Sequence, residues 1–254
     1  MIGLPLAVRL PAITQLLLPS EGLNGSSATN GALRRGKRAI ADHFDVSYEL
    51  EHQIAGTAKE SYLNSIRDVI NAATFSMTRQ REMKGLGHAI LTGEVLVGRE
   101  DAFGVILSDD LCLNNGGDGV MAQMTKLYKQ FRCSIVAVME VPANEVDKYG
   151  VIVGTELKNG LYRVDSMVEK PAVEDAPSNL AVIGRYILTP DIFDILRDTA
   201  PGKNGEIQIT DALNTQAASG CVMAYKFQGR RFDCGSVPGF VEATNFVFEH
   251  YYQD

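Results

Sequence analysis

The run Phe103-Gly104-Val105-Ile106-Leu107 stops abruptly at Ser108-Asp109-Asp110. An apolar run of this length, rich in β-branched residues, reads as a strand buried on both faces, the pattern of a parallel sheet covered by helices. In open α/β sheets, ligands sit just beyond the carboxyl ends of such strands. An acidic pair at that place is a natural seat for Mg2+, which takes oxygen ligands and bridges carboxylate to phosphate. The same two residues also suit a turn or the cap of a following helix. A second unbroken run, Cys133-Ser-Ile-Val-Ala-Val-Met139, follows a segment with Met121, Met124, Leu127 and Tyr128 on one helical face. Together, residues 103–139 predict strand, helix, strand: a βαβ unit with a right-handed crossover.

Composition narrows the partners. A chain of 254 residues with 45% hydrophobic content can bury the core of one large or two small domains. The net charge is −7, and Arg34, Arg35, Lys37 and Arg38 form its one dense basic cluster. This argues against nucleic acid as a partner while allowing a local phosphate site. Cys112, Cys133, Cys221 and Cys234 are widely spaced with no CxxC pair, as in the reduced thiols of a cytoplasmic protein. Four scattered histidines make a zinc site a poor expectation. No apolar run has the length to cross a bilayer.

Residues 1–34 differ in texture from the rest. The opening is Leu-rich and broken by Pro5, Pro11 and Pro19, which argues against a secretory signal, and Gly22 to Gly31 is dense in turn formers. This stretch is expected to be an irregular, weakly ordered arm. From Arg35 the sequence is globular. Residues 39–54 and 59–72 predict helices, with Tyr62, Ile66, Val69 and Ile70 on one face of the second, and 74–80 alternates as a strand. Beyond Glu140, residues 149–153 and 160–168 alternate around Lys158-Asn159-Gly160, a hairpin signal. Further strands are expected at 180–188, 222–227 and 231–235, and helices at 190–198, 207–213 and 240–252.

Several stretches occur together and in order: Gln80 with Lys84-Gly85-Leu86-Gly87-His88-Ala89, then Asp109-Asp110, Lys148-Tyr149-Gly150-Val151, Val168-Glu169-Lys170-Pro171, Ala176-Pro177-Ser178-Asn179-Leu180-Ala181, Gly184-Arg185-Tyr186, Gly205-Glu206-Ile207-Gln208-Ile209-Thr210-Asp211, and Asp233-Cys234-Gly235. Each block alone is commonplace; in register, over about 35–254, they resemble the bacterial UTP–glucose-1-phosphate uridylyltransferases. The resemblance implies a Rossmann-like α/β nucleotidyltransferase fold, with a mostly parallel central sheet, helices on both faces and an added mixed β-region. It divides the chain into a nucleotide-proximal part, about 35–140, and a sugar-phosphate part, about 141–254. It implies UTP and glucose 1-phosphate as substrates, Mg2+ as cofactor and a homo-oligomer, dimer or tetramer. The family opens with a strand and a glycine-rich loop that wraps the nucleotide phosphates. Here Val8–Gln15 is a faint echo without glycine or lysine. A mis-started, frame-shifted or truncated reading of the gene, or divergence, accounts for this. The loss of that opening strand would leave unpaired backbone on its sheet neighbours.

The resemblance also assigns roles. Asp109 and Asp233 hold the metal, although Asp233 equally suits a turn before Gly235. Lys170 contacts the phosphate of the sugar phosphate, where a compact cation is apt. Glu169 accepts from glucose hydroxyls, and Gly150 lets the hexose approach the backbone or serves a turn. Strand neighbours face opposite ways, so Glu169 and Lys170 share a ligand only if the strand ends there, as Pro171 suggests. Gln80 donates to and accepts from the uracil edge, with the Gly85 backbone completing the base contact. His88 is expected to be a helix-start or packing residue; Asn179 and Arg185 match the family without an assigned role. Two other readings stand beside the active enzyme. One is a catalytically impaired member that binds nucleotide sugar weakly or serves in subunit association. The other is a related enzyme with another nucleotide or sugar.

Overall fold

The computed structural model describes residues 16–19, 28–33, 42, 45–64, 67, 74–99, 101–202 and 205–252. In chain order its elements are strands β1 (Leu16–Pro19) and β2 (Ala28–Leu33), helix α1 (Tyr48–Ile54), β3 (Thr74–Arg79), α2 (Gly85–Val97), β4 (Phe103–Ile106), β5 (Asp110–Leu113), α3 (Val120–Phe131) and β6 (Ser134–Glu140). The hairpin β7 (Gly150–Lys158) and β8 (Leu161–Glu169) follows, then β9 (Leu180–Leu188), α4 (Ile192–Asp198), α5 (Ile209–Ala218), β10 (Val222–Lys226), β11 (Arg230–Asp233) and α6 (Val237–Tyr251). The helix expected at 59–72 and the echo at Val8–Gln15 lie partly or wholly outside the described residues.

Unbroken apolar runs become strands with both faces covered. In β6, Val136 and Val138 enter one core cluster, with Ile90 of α2, Phe193 and Leu196 of α4, and Leu213 of α5. Their neighbours Ile135 and Ala137 enter a second cluster, with Met121, Met124 and Tyr128 of α3. β9 divides likewise, Tyr186 and Leu188 to the first side, Ile183 and Ile187 to the second. The period-2 alternation of a strand thus feeds two hydrophobic layers, and the sheet is the middle of a three-layer sandwich. Phe103 stacks on Phe193 with ring centroids 4.9 Å apart, both fully buried.

Among the described residues, nine strands form one sheet in the order β3-β2-β1-β4-β9-β6-β10-β8-β7, and β5 pairs with β11 in a separate ribbon. The fold class agrees with expectation, but the strand directions correct it. Four of the nine-stranded sheet's pairings are parallel and five are antiparallel. β9 inserts between β4 and β6, antiparallel to both, so the strands of the expected βαβ unit are parallel but not adjacent. β5 also intervenes between β4 and α3. Within the stretch expected to be an irregular arm, β1 lies beside β4, with Leu16 opposite Gly104 and Leu17 opposite Val105. The β7–β8 hairpin turns at Asn159 and Gly160, with φ of 53° and 76°. Paired positive φ values match the right-handed twist of the flanking strands.

Candidate active site

Strand ends and helix starts converge on one cavity of about 700 Å3. Gln80 follows β3, Gly85 opens α2, Asp109 follows β4, Gly150 and Glu169 face each other across the hairpin base, Lys170 comes next, and Asp233 ends β11. All seven of these expected residues line the cavity.

At the acidic end the two neighbouring aspartates part company. Asp110, 5% exposed, accepts from the Gly184 backbone N–H at 2.6 Å and from Arg231 Nε at 2.6 Å. Arg231 also donates to the Tyr149 hydroxyl at 3.0 Å, and its guanidinium lies 5.3 Å from that ring's centroid. Burial works against the charge of Arg231, but Asp110 and Tyr149 outweigh it and hold the guanidinium above its ordinary value. Asp110 is therefore one half of a buried ion pair. Asp109 is its half-buried neighbour and, like Asp233, has a carboxylate oxygen beside Gly235. A Cβ at Gly235 would stand 3.2 Å from both Asp109 Oδ2 and Asp233 Oδ1. The turn expected at Asp233 is also present, since Oδ1 accepts from Gly235 N at 3.1 Å. Nearby, burial first, then Asp110, Glu169 and Asp109, push the Tyr186 phenol well up, so it stays protonated.

At the hairpin base the strand does end where it must. β8 stops at Glu169, and Lys170 takes φ 44°, a left-handed conformation uncommon outside glycine, Asn and Asp. That single reversal brings two sequence neighbours to one cavity. The Lys170 N–H donates to Tyr149 O at 3.0 Å, while its side chain is 60% exposed, with the ammonium 3.9 Å from Glu169 Oε1. Glu169 accepts from the Thr210 hydroxyl at 2.6 Å. Gly150 makes room for this pair: a Cβ there would lie 3.1 Å from Glu169 Oε2 and 3.2 Å from Thr210 Cγ2. Strain of this kind gathers at functional sites because the surroundings must over-determine it.

At the far end Gln80, 7% exposed, places Nε2 3.0 Å from His88 Nδ1 and 3.4 Å from Gly85 O. The α2 start is pinned to the segment before α5 by Ile207 N donating to Lys84 O and Gly87 N to Ile207 O, at 2.8 and 2.9 Å. A Cβ on Gly87 would come within 2.7 Å of Ile207 O, so the close approach requires glycine.

The nucleotidyl transferase family matches residues 46–250. A UTP–glucose-1-phosphate uridylyltransferase of Pseudomonas aeruginosa is 64% identical over 248 residues, 96% of this chain and 88% of its own. The chain belongs to the UTP–glucose-1-phosphate uridylyltransferases. A putative member from Methanocaldococcus jannaschii is 41% identical over 83% of this chain and 72% of its own. Among solved structures, a UDP-glucose pyrophosphorylase complexed with UDP-glucose superposes with a TM-score of 0.84 at 47% identity, covering 93% of this chain and 99% of its own. A UTP-bound enzyme from Acinetobacter baumannii gives 0.81 at 28%, covering 94% and 95%.

Nucleotidyltransferases generally use a divalent metal. The uridylyltransferase cavity offers carboxylates for one: Asp109 and Asp233 both line it, and each has an oxygen beside Gly235. A hard cation held by one or two carboxylates and completed by substrate phosphates needs such a donor set. Arg185 and Asn179, which matched the family without an assigned role, both bond to backbone carbonyls. Arg185 donates to Leu107 O and Gly184 O, each at 2.9 Å, and to Asp110 O, fixing the turn that carries Asp109. Asn179 donates to Val141 O at 3.3 Å. Thr210, Tyr149 and Arg231 were missed as site residues, although all three stand within or beside the quoted blocks.

Proposed function

We propose that this chain transfers the uridylyl group of UTP to glucose 1-phosphate, giving UDP-glucose and pyrophosphate. The observation that carries the reading is the left-handed turn at Lys170, which aims a cation and the Glu169 carboxylate into the cavity that Asp109 and Asp233 close. Nucleotidyl transfer asks for positioning and charge neutralisation rather than covalent help. Uracil lies at Gln80 and Gly85. The hexose lies at Gly150 and Glu169, where Thr210 keeps the carboxylate turned to accept from sugar hydroxyls. Lys170 donates to the phosphate of glucose 1-phosphate, whose oxygen attacks the α-phosphorus of UTP while pyrophosphate leaves in line. Asp109 and Asp233 hold Mg2+, which supplies Lewis acidity and alignment at the phosphates.

Pyrophosphate release by the purified chain with UTP, glucose 1-phosphate and Mg2+ tests this reading. Lys170→Ala should lower kcat by about 10²–10³, and Asp109→Asn should raise the Mg2+ concentration needed for half-maximal rate. Normal kinetics in Lys170→Ala would remove the assignment. The second reading, a member without turnover, is favoured by the lack of a glycine-rich loop of the family's form within residues 1–34. A chimera carrying such a leader separates the two: turnover only in the chimera supports the second reading. Free thiols at all four cysteines accord with a cytoplasmic setting, and no helix among the described residues is long and apolar enough to cross a membrane. The outer face of α6 presents Val237, Phe240, Val241 and Phe248, each more than half exposed. This apolar stripe supports a homo-oligomer, dimer or tetramer, joined through α6.

A further inference from the structure

His88 does not line the cavity, yet it touches a residue that does. The amide of Gln80 has two N–H donors and one oxygen acceptor. Gly85 O can only accept, so the amide atom 3.4 Å from it is the nitrogen. The same nitrogen lies 3.0 Å from His88 Nδ1, which must then accept, with the ring proton on Nε2. Both amide protons are thus committed inside the protein, and Oε1 is the atom left for a ligand. This revises the expectation that Gln80 would donate and accept at once.

We propose that His88 is a specificity-determining positioning residue: by holding the Gln80 amide nitrogen, it turns Oε1 toward the base and selects uracil over cytosine. The inference rests on the reading that Gln80 meets the base. Uracil carries an N3–H donor, which Oε1 accepts. Cytosine carries a lone pair at N3, which would face Oε1 acceptor to acceptor. A site built to hydrogen-bond one partner rejects an analogue that leaves its groups unpaired. Without His88 the amide keeps one anchor, Gly85 O, and is freer to turn its nitrogen toward the base.

The test is steady-state kinetics with UTP and with CTP, at saturating glucose 1-phosphate, on the native chain, His88→Ala, His88→Asn and Gln80→Ala. His88→Ala should raise KM for UTP about tenfold, leave kcat within about twofold, and lower the UTP-over-CTP preference in kcat/KM about tenfold. His88→Asn, whose Oδ1 stands where Nδ1 does and accepts, should restore most of that preference. A packing role alone would weaken both nucleotides together and leave their ratio unmoved. If the alanine variant does not fold, His88→Leu, which keeps bulk without an acceptor, carries the same expectation. An unchanged ratio in the His88 variants, with a lowered one in Gln80→Ala, overturns this inference and leaves the base reading standing. If Gln80→Ala changes neither KM nor ratio, the base reading fails and the inference with it.

Discussion

Gly150 and Thr210 show how closely single atoms define the hairpin end of the cavity. The Glu169 carboxylate is held by one hydroxyl and fits because Gly150 has no side chain. Gly150→Ala should displace that carboxylate by a few tenths of an ångström and raise KM for glucose 1-phosphate several-fold, with KM for UTP unchanged. Thr210→Val, nearly isosteric, removes the 2.6 Å hydrogen bond and should raise the same KM about five- to tenfold. Separate titrations of the two substrates check both; equal effects on UTP would show that the carboxylate does not serve the sugar. These partners were only half legible in the sequence. Glu169 and Lys170 stand in a recognisable block, but Thr210 lies 41 positions from Glu169, and no local pattern joins them. His88 could be placed at a helix start, yet its contact with Gln80 depends on how α2 docks against Ile207.

Elements were legible where their signals were local. The stripe over 120–131 gives α3, and the Asn-Gly turn gives the β7–β8 hairpin, because helix period and turn chemistry are properties of adjacent residues. The insertion of β9 between β4 and β6 was not legible, since its apolar run fits an edge or a central place equally well. The place of Asp110 was not legible either. The acidic pair alone does not say which carboxylate does what; the β5–β11 ribbon sets Asp110 opposite Asp233 and brings Arg231 onto its carboxylate. A buried carboxylate deprived of its cation is expensive, so Arg231→Met should cost about 3–5 kcal/mol of stability. The double variant with Asp110→Asn, which removes the orphaned charge, should recover part of that loss. Urea midpoints of the three proteins measure it; a double variant no more stable than Arg231→Met would show that the loss comes from packing rather than charge.

For the molecule as a whole, α6 is a long helix that its own core uses sparingly. It buries Ala243 and Val247 and turns Val237, Phe240, Val241 and Phe248 outward. Phe240→Glu with Phe248→Glu should therefore reduce the mass seen by light scattering to that of a monomer, without shifting the far-ultraviolet dichroism. A native chain that is monomeric at micromolar concentration would remove α6 as an interface.

The Arg231–Asp110 pair joins positions 121 apart, and Arg231 reaches Tyr149 across 82. Translation makes that separation a matter of time. A ribosome delivers β4 and its acidic end first, then the hairpin with its lysine, and the cation that steadies Asp110 only with β11. Until then the growing polypeptide carries Asp110 and Tyr149 without the guanidinium that joins them. A product released before β11 would hold the Asp110 carboxylate without the cation that offsets it.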